Sequence, residues 1–215
     1  MLETLTQVSF DKVTAFVLRD GDAGLELLTF LHPSAGRQIP AGSVELAEPP
    51  DAAAMREVME ETGVVGLQGL TQIGKSEETL GAQAIALHDT ALVDSEGTQV
   101  DKIQRGHRVL VQAEQDGRMQ VTRLVHDFNV DPPIQLSQPS GWAGKDRFAR
   151  RVSRYFYLAK AANGGARKWE HAADGHLFEV EWCPLSADLT LIEGQQDWLT
   201  EYVEQLKQQP AGIAQ

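Results

Sequence analysis

The chain has 215 residues, 42% of them hydrophobic and 23% charged, with 31 acidic against 19 basic side chains and a formal net charge of -12. That apolar content excludes a disordered chain. The acidity argues against a protein that coats nucleic acid, so no extended nucleic-acid surface is expected. Small phosphorylated substrates stay open, since an acidic protein can hold them through divalent ions. A single cysteine, Cys183, permits neither an intramolecular disulfide nor a cysteine-rich zinc site. Residues Met1–Thr4 lack the basic-then-apolar order of a signal peptide, and no apolar run reaches the ~20 residues of a membrane helix. The expectation is a cytoplasmic protein without a membrane partner.

In chain order, Lys12–Leu18 reads as a strand, Asp20–Gly24 as a turn and Leu25–Leu31 as the returning strand of a hairpin. Gln38–Gly42 reads as a short strand running into a glycine turn. From Pro50 to Thr62 the period becomes helical. At about 100° per residue, Ala54, Met55, Val58, Met59 and Thr62 share an apolar arc, and Glu57, Glu60 and Glu61 occupy another. Pro50 suits a first helical turn and Gly63 a C-terminal stop. The stretch 67–106 is weakly patterned. Arg108–Ala113 and Met119–Phe128 flank Asp116-Gly117, a hairpin signal, and Pro132–Lys145 reads as a loop. Val152–Ala159 and Leu177–Cys183 read as strands, and Gln195–Gln208 as a closing amphipathic helix. The prediction is one α+β domain over 1–215.

The chemistry concentrates before and on the first helix. Glu57, Glu60 and Glu61, at i, i+3 and i+4, put three carboxylates on one helix face, where they repel unless something positive lies between them. Hard divalent cations supply such charge through oxygen ligands. Arg56 has the fork geometry to orient one of these carboxylates or Glu48. Gly42 is expected to take a backbone conformation barred to other residues, and Ala53 to leave room near the carboxylates. A solvated acidic face is the ordinary alternative for three nearby glutamates.

The ordered set Gly42, Glu48, Arg56, Glu57, Glu60, Glu61 and Gly63, with Val58 and Val64 at aliphatic positions, resembles the Nudix box of the Nudix hydrolase family at every fixed position and spacing. The resemblance implies an α/β/α sandwich with a mixed β-sheet, additional strands and loops being inserted over roughly 66–150 to shape a substrate pocket or a homodimer contact. It implies hydrolysis of a diphosphate linkage in a nucleoside diphosphate joined to another group, such as ADP-ribose, a sugar nucleotide, a dinucleotide or a nucleoside triphosphate. Mg²⁺ or Mn²⁺ would be held by Glu57, Glu60 and Glu61, with Arg56 orienting and Glu48 in support. Glu57 is the general-base candidate within the box; Glu170, Asp174 and Glu179 are candidates outside it. Two other readings share the fold: a nucleotide-metabolite sensor that binds without turnover, and an isomerase of diphosphate substrates.

The chain departs from the family pattern mildly, with Ala41 before Gly42 and Pro49 where a helix-capping serine is common. Leu80 and its neighbours stand where some subfamilies carry a substrate-marking proline or tyrosine, so the substrate is left open. Residues 141–170 hold eight bases and two acids. Within them Arg151 and Arg154 are candidate phosphate contacts, and Trp142 and Trp169 are candidate stacking platforms. Pro139–Asp146 is a poor match to a phosphate-binding loop, failing at its first glycine and at its hydroxyl position.

Overall fold

The computed structural model describes residues 8–123, 125–127, 134–136, 139–173, 175–186 and 188–208, without the side chains of 125–127 and 134–136. Its elements run β1 (Phe10–Gly21), β2 (Gly24–His32), β3 (Gly36–Gln38), β4 (Ala41–Ser43), α1 (Pro50–Thr62) and β5 (Gln68–Thr79). Next come β6 (Gln83–Ala86), β7 (Thr90–Val93), β8 (Gln99–Ile103), β9 (Arg108–Gln115), β10 (Arg118–Arg123), β11 (Val125–Asp127), β12 (Ile134–Leu136), β13 (Ser140–Gly144) and β14 (Phe148–Ala149). The chain closes with β15 (Arg151–Lys160), β16 (Lys168–Ala173), β17 (His176–Pro184) and α2 (Gln195–Lys207). The result is a mixed α+β fold with large sheets and few helices, as expected. Among the described residues no helix is long and apolar enough to cross a membrane.

The chain divides into two compact units: a first comprising Lys12–Lys75 and Arg154–Gln215, and a second comprising Met1–Asp11 and Ser76–Ser153. In the first, strands run in the order β16-β17-β2-β1-β15-β5, with β3 on β2 and β4 on β1. Alternation along β1 splits the core between the two faces of this sheet. Ala15 and Val17 join Leu28, Phe30, Val180 and Trp182 around Val58 of α1. Phe16 and Leu18 join Leu27, Phe156 and Leu158 around Leu199, Tyr202 and Leu206 of α2. The helices therefore cover opposite faces, which is the α/β/α sandwich. Gly74 makes α2's approach possible, since a Cβ there would lie 2.0 Å from the Tyr202 hydroxyl.

The second unit is built on a seven-stranded sheet in the order β14-β6-β9-β10-β13-β7-β8. Its core is Ala84, Leu92, Ile103, Val109, Met119, Val121, Ala143 and Phe148. The hairpin at Asp116-Gly117 forms, with both residues at positive φ. Part of the stretch expected to be loop is strand β13, hydrogen-bonded between β10 and β7. The far end of the Met119–Phe128 strand lies partly outside the described residues, at Leu124 and Phe128.

Helix α1 forms where its period predicts, but its buried side is rotated. Ala53, Ala54, Val58 and Thr62 are buried, whereas Met55 and Met59 are 45% and 48% exposed. Ala53 packs with Val13, Val44 and Tyr157 instead of clearing space beside the carboxylates. The helix stops at Gly63, which is left-handed at φ 73° and donates its N–H to the Met59 carbonyl.

Candidate functional site

The site is assembled where β4 runs into the N-terminal side of α1. β4 pairs with β1 through Val13↔Gly42 and Thr14↔Ala41, placing Gly42 beside the helix. Pro49 offers no side-chain cap, and the first turn is served instead by Asp51 Oδ1, which accepts the Ala52 N–H at 3.0 Å. The loop between β4 and α1 turns back so that Glu48 faces Arg56. Glu48 is itself oriented from behind by the Glu45 N–H, which donates to its Oε2 at 2.9 Å.

Arg56 is the hub. Its Nε donates to Glu48 Oε1 at 2.9 Å and its Nη2 to Glu48 Oε2 at 3.0 Å, a two-point fork. Nη1 donates to Glu57 Oε1 and to Glu60 Oε2, both at 2.9 Å, and Nη2 also reaches the Ser43 carbonyl at 3.0 Å. One guanidinium thus holds three carboxylates and the end of β4. Glu48 and Glu57 are mostly shielded from solvent, whereas Glu60 is 50% exposed. Arg56's hydrogen bonds hold the Glu48 carboxyl below its usual value of 4.5. The same partners, Glu48 first, push the Arg56 guanidinium further up.

Gly42 has a different reason from the one expected of it. Its φ is not in the positive region. What its lack of a side chain supplies is clearance, because a Cβ there would sit 2.0 Å from Glu57 Oε1. The third box carboxylate, Glu61, is pinned to the strand, where its Oε2 accepts the Ala41 N–H at 3.0 Å. Ala41, Ser43 and Glu45 thus act through backbone groups, which side-chain identity does not reveal.

The far end of α1 is held by β16. Trp169 Nε1 donates to the Thr62 carbonyl at 2.9 Å, and His171 Nε2 lies 2.9 Å from the Glu60 carbonyl. These serve two of the carbonyls a helix leaves unpaired at its end. His171 has no sequence motif to reveal it; its signal is spatial, the ring lying 2.9 Å from where a Gly63 Cβ would be.

The remaining candidates disperse. Glu170 and Glu179 face each other across the β16–β17 hairpin, and Glu179 forms a short ion pair with Lys168 that holds its carboxyl below the usual range. Asp174 lies outside the described residues. Arg154 reaches the Val13 carbonyl at 3.1 Å and Thr14 Oγ1 at 2.9 Å, with its guanidinium 4.2 Å from the centre of the Trp198 ring. Arg151 pairs with Glu77 at 3.1 Å, and it belongs to the second unit, as does Trp142.

The donor set around Arg56 suits a hard divalent cation. Every side-chain group is a carboxylate oxygen, and Gly42 keeps a cradle that any Cβ would fill. Glu57 Oε1 and Glu60 Oε2 both lie 2.9 Å from Arg56 Nη1, so one nitrogen draws these two carboxylates together. Among the described residues no three such side chains already converge at metal-binding distance, their oxygens being held by Arg56 and Ala41.

The NUDIX domain family model matches residues 10–121, which include Gly42 and the Arg56-centred carboxylates. No protein of curated function matches the chain. Two solved structures are similar in outline at 14% identity. The NUDIX domain of Shewanella oneidensis NrtR, complexed with ADP ribose, has a TM-score of 0.48, covering 93% of this chain and 90% of that one. A Listeria monocytogenes protein described as a NUDIX hydrolase has a TM-score of 0.38, covering 91% and 93%.

Proposed function

The chain belongs to the Nudix family of hydrolases, and from that premise we propose that it uses divalent metal ions to split a diphosphate linkage in a nucleoside diphosphate joined to another group. The observation that carries this reading is the Arg56-centred cluster of Glu48, Glu57 and Glu60 with the Gly42 clearance beneath it. A merely solvated acidic face needs neither an organising arginine nor a glycine cleared for one carboxylate.

Glu57, Glu60 and Glu61 are the residues that would hold Mg²⁺ or Mn²⁺. Such an ion supplies charge neutralisation on the diphosphate oxygens and a water of lowered pKa. Arg56 fixes the direction of the Glu57 carboxylate through the hydrogen bond from its Nη1 to Glu57 Oε1. Glu48 is the counterweight that fixes Arg56 through two parallel bonds. Glu57 is the candidate to take the proton of the attacking water. Ala41's hold on one oxygen of Glu61 orients that carboxylate toward the strand end.

The test is a substrate panel of ADP-ribose, sugar nucleotides, dinucleotides, coenzyme A and nucleoside triphosphates, assayed with Mg²⁺, with Mn²⁺ and with EDTA in ¹⁸O-labelled water. At least one substrate should release a nucleoside monophosphate or diphosphate, with label in one product and no turnover in EDTA. Rearranged substrate without label would identify an isomerase. Saturable binding with no product from any member would identify a sensor.

A further inference from the structure

Most described arginines are held by a carboxylate, a carbonyl or a hydroxyl, as in Arg19–Glu26, Arg37–Glu181, Arg108–Glu78 and Arg150–Glu114. Arg118 and Arg147 are different. Neither makes an ion pair or side-chain hydrogen bond among the described residues, and both line one cavity of the second unit, about 390 Å³ in volume. In a chain of net charge -12, two uncompensated guanidinium groups in one concavity are unusual.

The cavity also has an aromatic wall. Along β10 and β13, Met119, Val121 and Ala143 turn into the core, so alternation sends Arg118 and Trp142 to the other face. Trp142 stands opposite Val93 of β7, and the Arg118 guanidinium lies 5.9 Å from its ring centre. Arg147 enters from the 3₁₀ turn Lys145–Arg147 that follows β13. The lining acid, Asp89, is already engaged by Lys102 at 3.1 Å and by the Arg105 N–H at 3.1 Å, so it does not neutralise the two arginines. Lys145 and Arg150, from the same basic stretch, are both taken by Glu114.

An indole plane with Val93 and Ala91 beside it, flanked by two planar cations, fits a ligand that is aromatic at one end and phosphorylated at the other. The volume lies near the lower end of the roughly 300–1,000 Å³ typical of small-molecule sites, which suits one nucleotide better than two. We propose that this cavity binds a nucleoside monophosphate, its base stacked on Trp142 and its phosphate held by Arg118 and Arg147. The proposal does not rest on the hydrolase reading. A mononucleotide released by hydrolysis and an independent effector share this chemistry. Adding AMP to a turnover assay separates them: a product site shows only competitive inhibition, an effector site changes kcat.

The direct test is titration calorimetry of the full chain with AMP in EDTA, where no hydrolysis occurs, against adenosine and inorganic phosphate. One saturable AMP site is expected, with each control at least tenfold weaker. Trp142→Ala and the Arg118→Ala, Arg147→Ala pair should each weaken AMP at least tenfold, and Trp142→Phe should restore most of the binding. Both arginines are exposed, so the paired variant should fold normally by circular dichroism; should it not, Arg118→Gln alone gives the same readout. AMP binding unchanged in the arginine variants, or absent from the wild type at millimolar concentration, overturns the proposal. Phosphate binding as tightly as AMP overturns its nucleoside half.

Discussion

Gly42 and Glu57 form a pair in which one residue's missing side chain determines the other's position. A Cβ at residue 42 would meet the carboxylate end of Glu57 first, so the movable glutamate yields before the strand does. Gly42→Ala should therefore leave the thermal midpoint within a few degrees of wild type while lowering kcat at least tenfold. Midpoint and turnover measured on one preparation check this, and unchanged turnover would show that Glu57's position is unimportant. Glu48 gives a pH signature. Arg56 depresses its folded value below 4.5, so the unfolded chain takes up the proton first as pH falls. The contribution is complete above about pH 4.5, where an unfolded carboxylate is ionised, and is lost as pH drops through the folded value. Urea midpoints from pH 7 to 3.5 should fall more steeply for wild type than for Glu48→Gln, the two curves converging at low pH.

At the scale of elements, α1 is a helix held at its middle and at its C-terminal end: by Arg56 to β4 and the preceding loop, and by Trp169 and His171 to its last carbonyls. Trp169→Phe keeps most of the packing with the α1-side core and loses the hydrogen bond, which should cost about 1 kcal/mol in urea unfolding. His171→Ala should cost a similar amount, with His171→Gln recovering part of it. The box was legible because its chemistry is local: seven residues within 23 positions, on a helix whose start and stop are marked by Pro50 and Gly63. The clamp was not legible, because Trp169 and His171 meet α1 across more than a hundred residues. The buried arc of α1 was misjudged toward Met55 and Met59, since apolarity alone does not say which of two neighbouring faces the sheet covers. β5 showed no pattern because it ends the sheet order and nearly all its side chains are exposed or half-exposed. Gly42 was recognised by position but explained wrongly, as its constraint comes from a carboxylate fifteen residues away.

Taken whole, the molecule is acidic, and most of the described cations in its basic stretch between 141 and 170 are engaged within the chain. Lys145 and Arg150 pair with Glu114, Arg151 with Glu77 and Lys168 with Glu179, while Arg154 serves β1. With a net charge of -12 and these pairings, a polyanionic substrate is expected to meet a net repulsion that salt screens. At saturating Mg²⁺, kcat/KM should rise or stay level as KCl increases from 20 to about 150 mM; a steep fall would mean that a basic funnel steers the substrate. The central claim, that the α1 carboxylates perform metal-dependent hydrolysis, is tested most directly by Glu60→Gln. Glu60 is half exposed, so the variant should fold with its thermal midpoint little changed. On the best substrate of the panel with Mg²⁺, it should lose at least ~100-fold in kcat, the loss expected when roughly 3 kcal/mol of charge stabilisation is removed. Turnover equal to wild type in a folded Glu60→Gln protein would contradict the account.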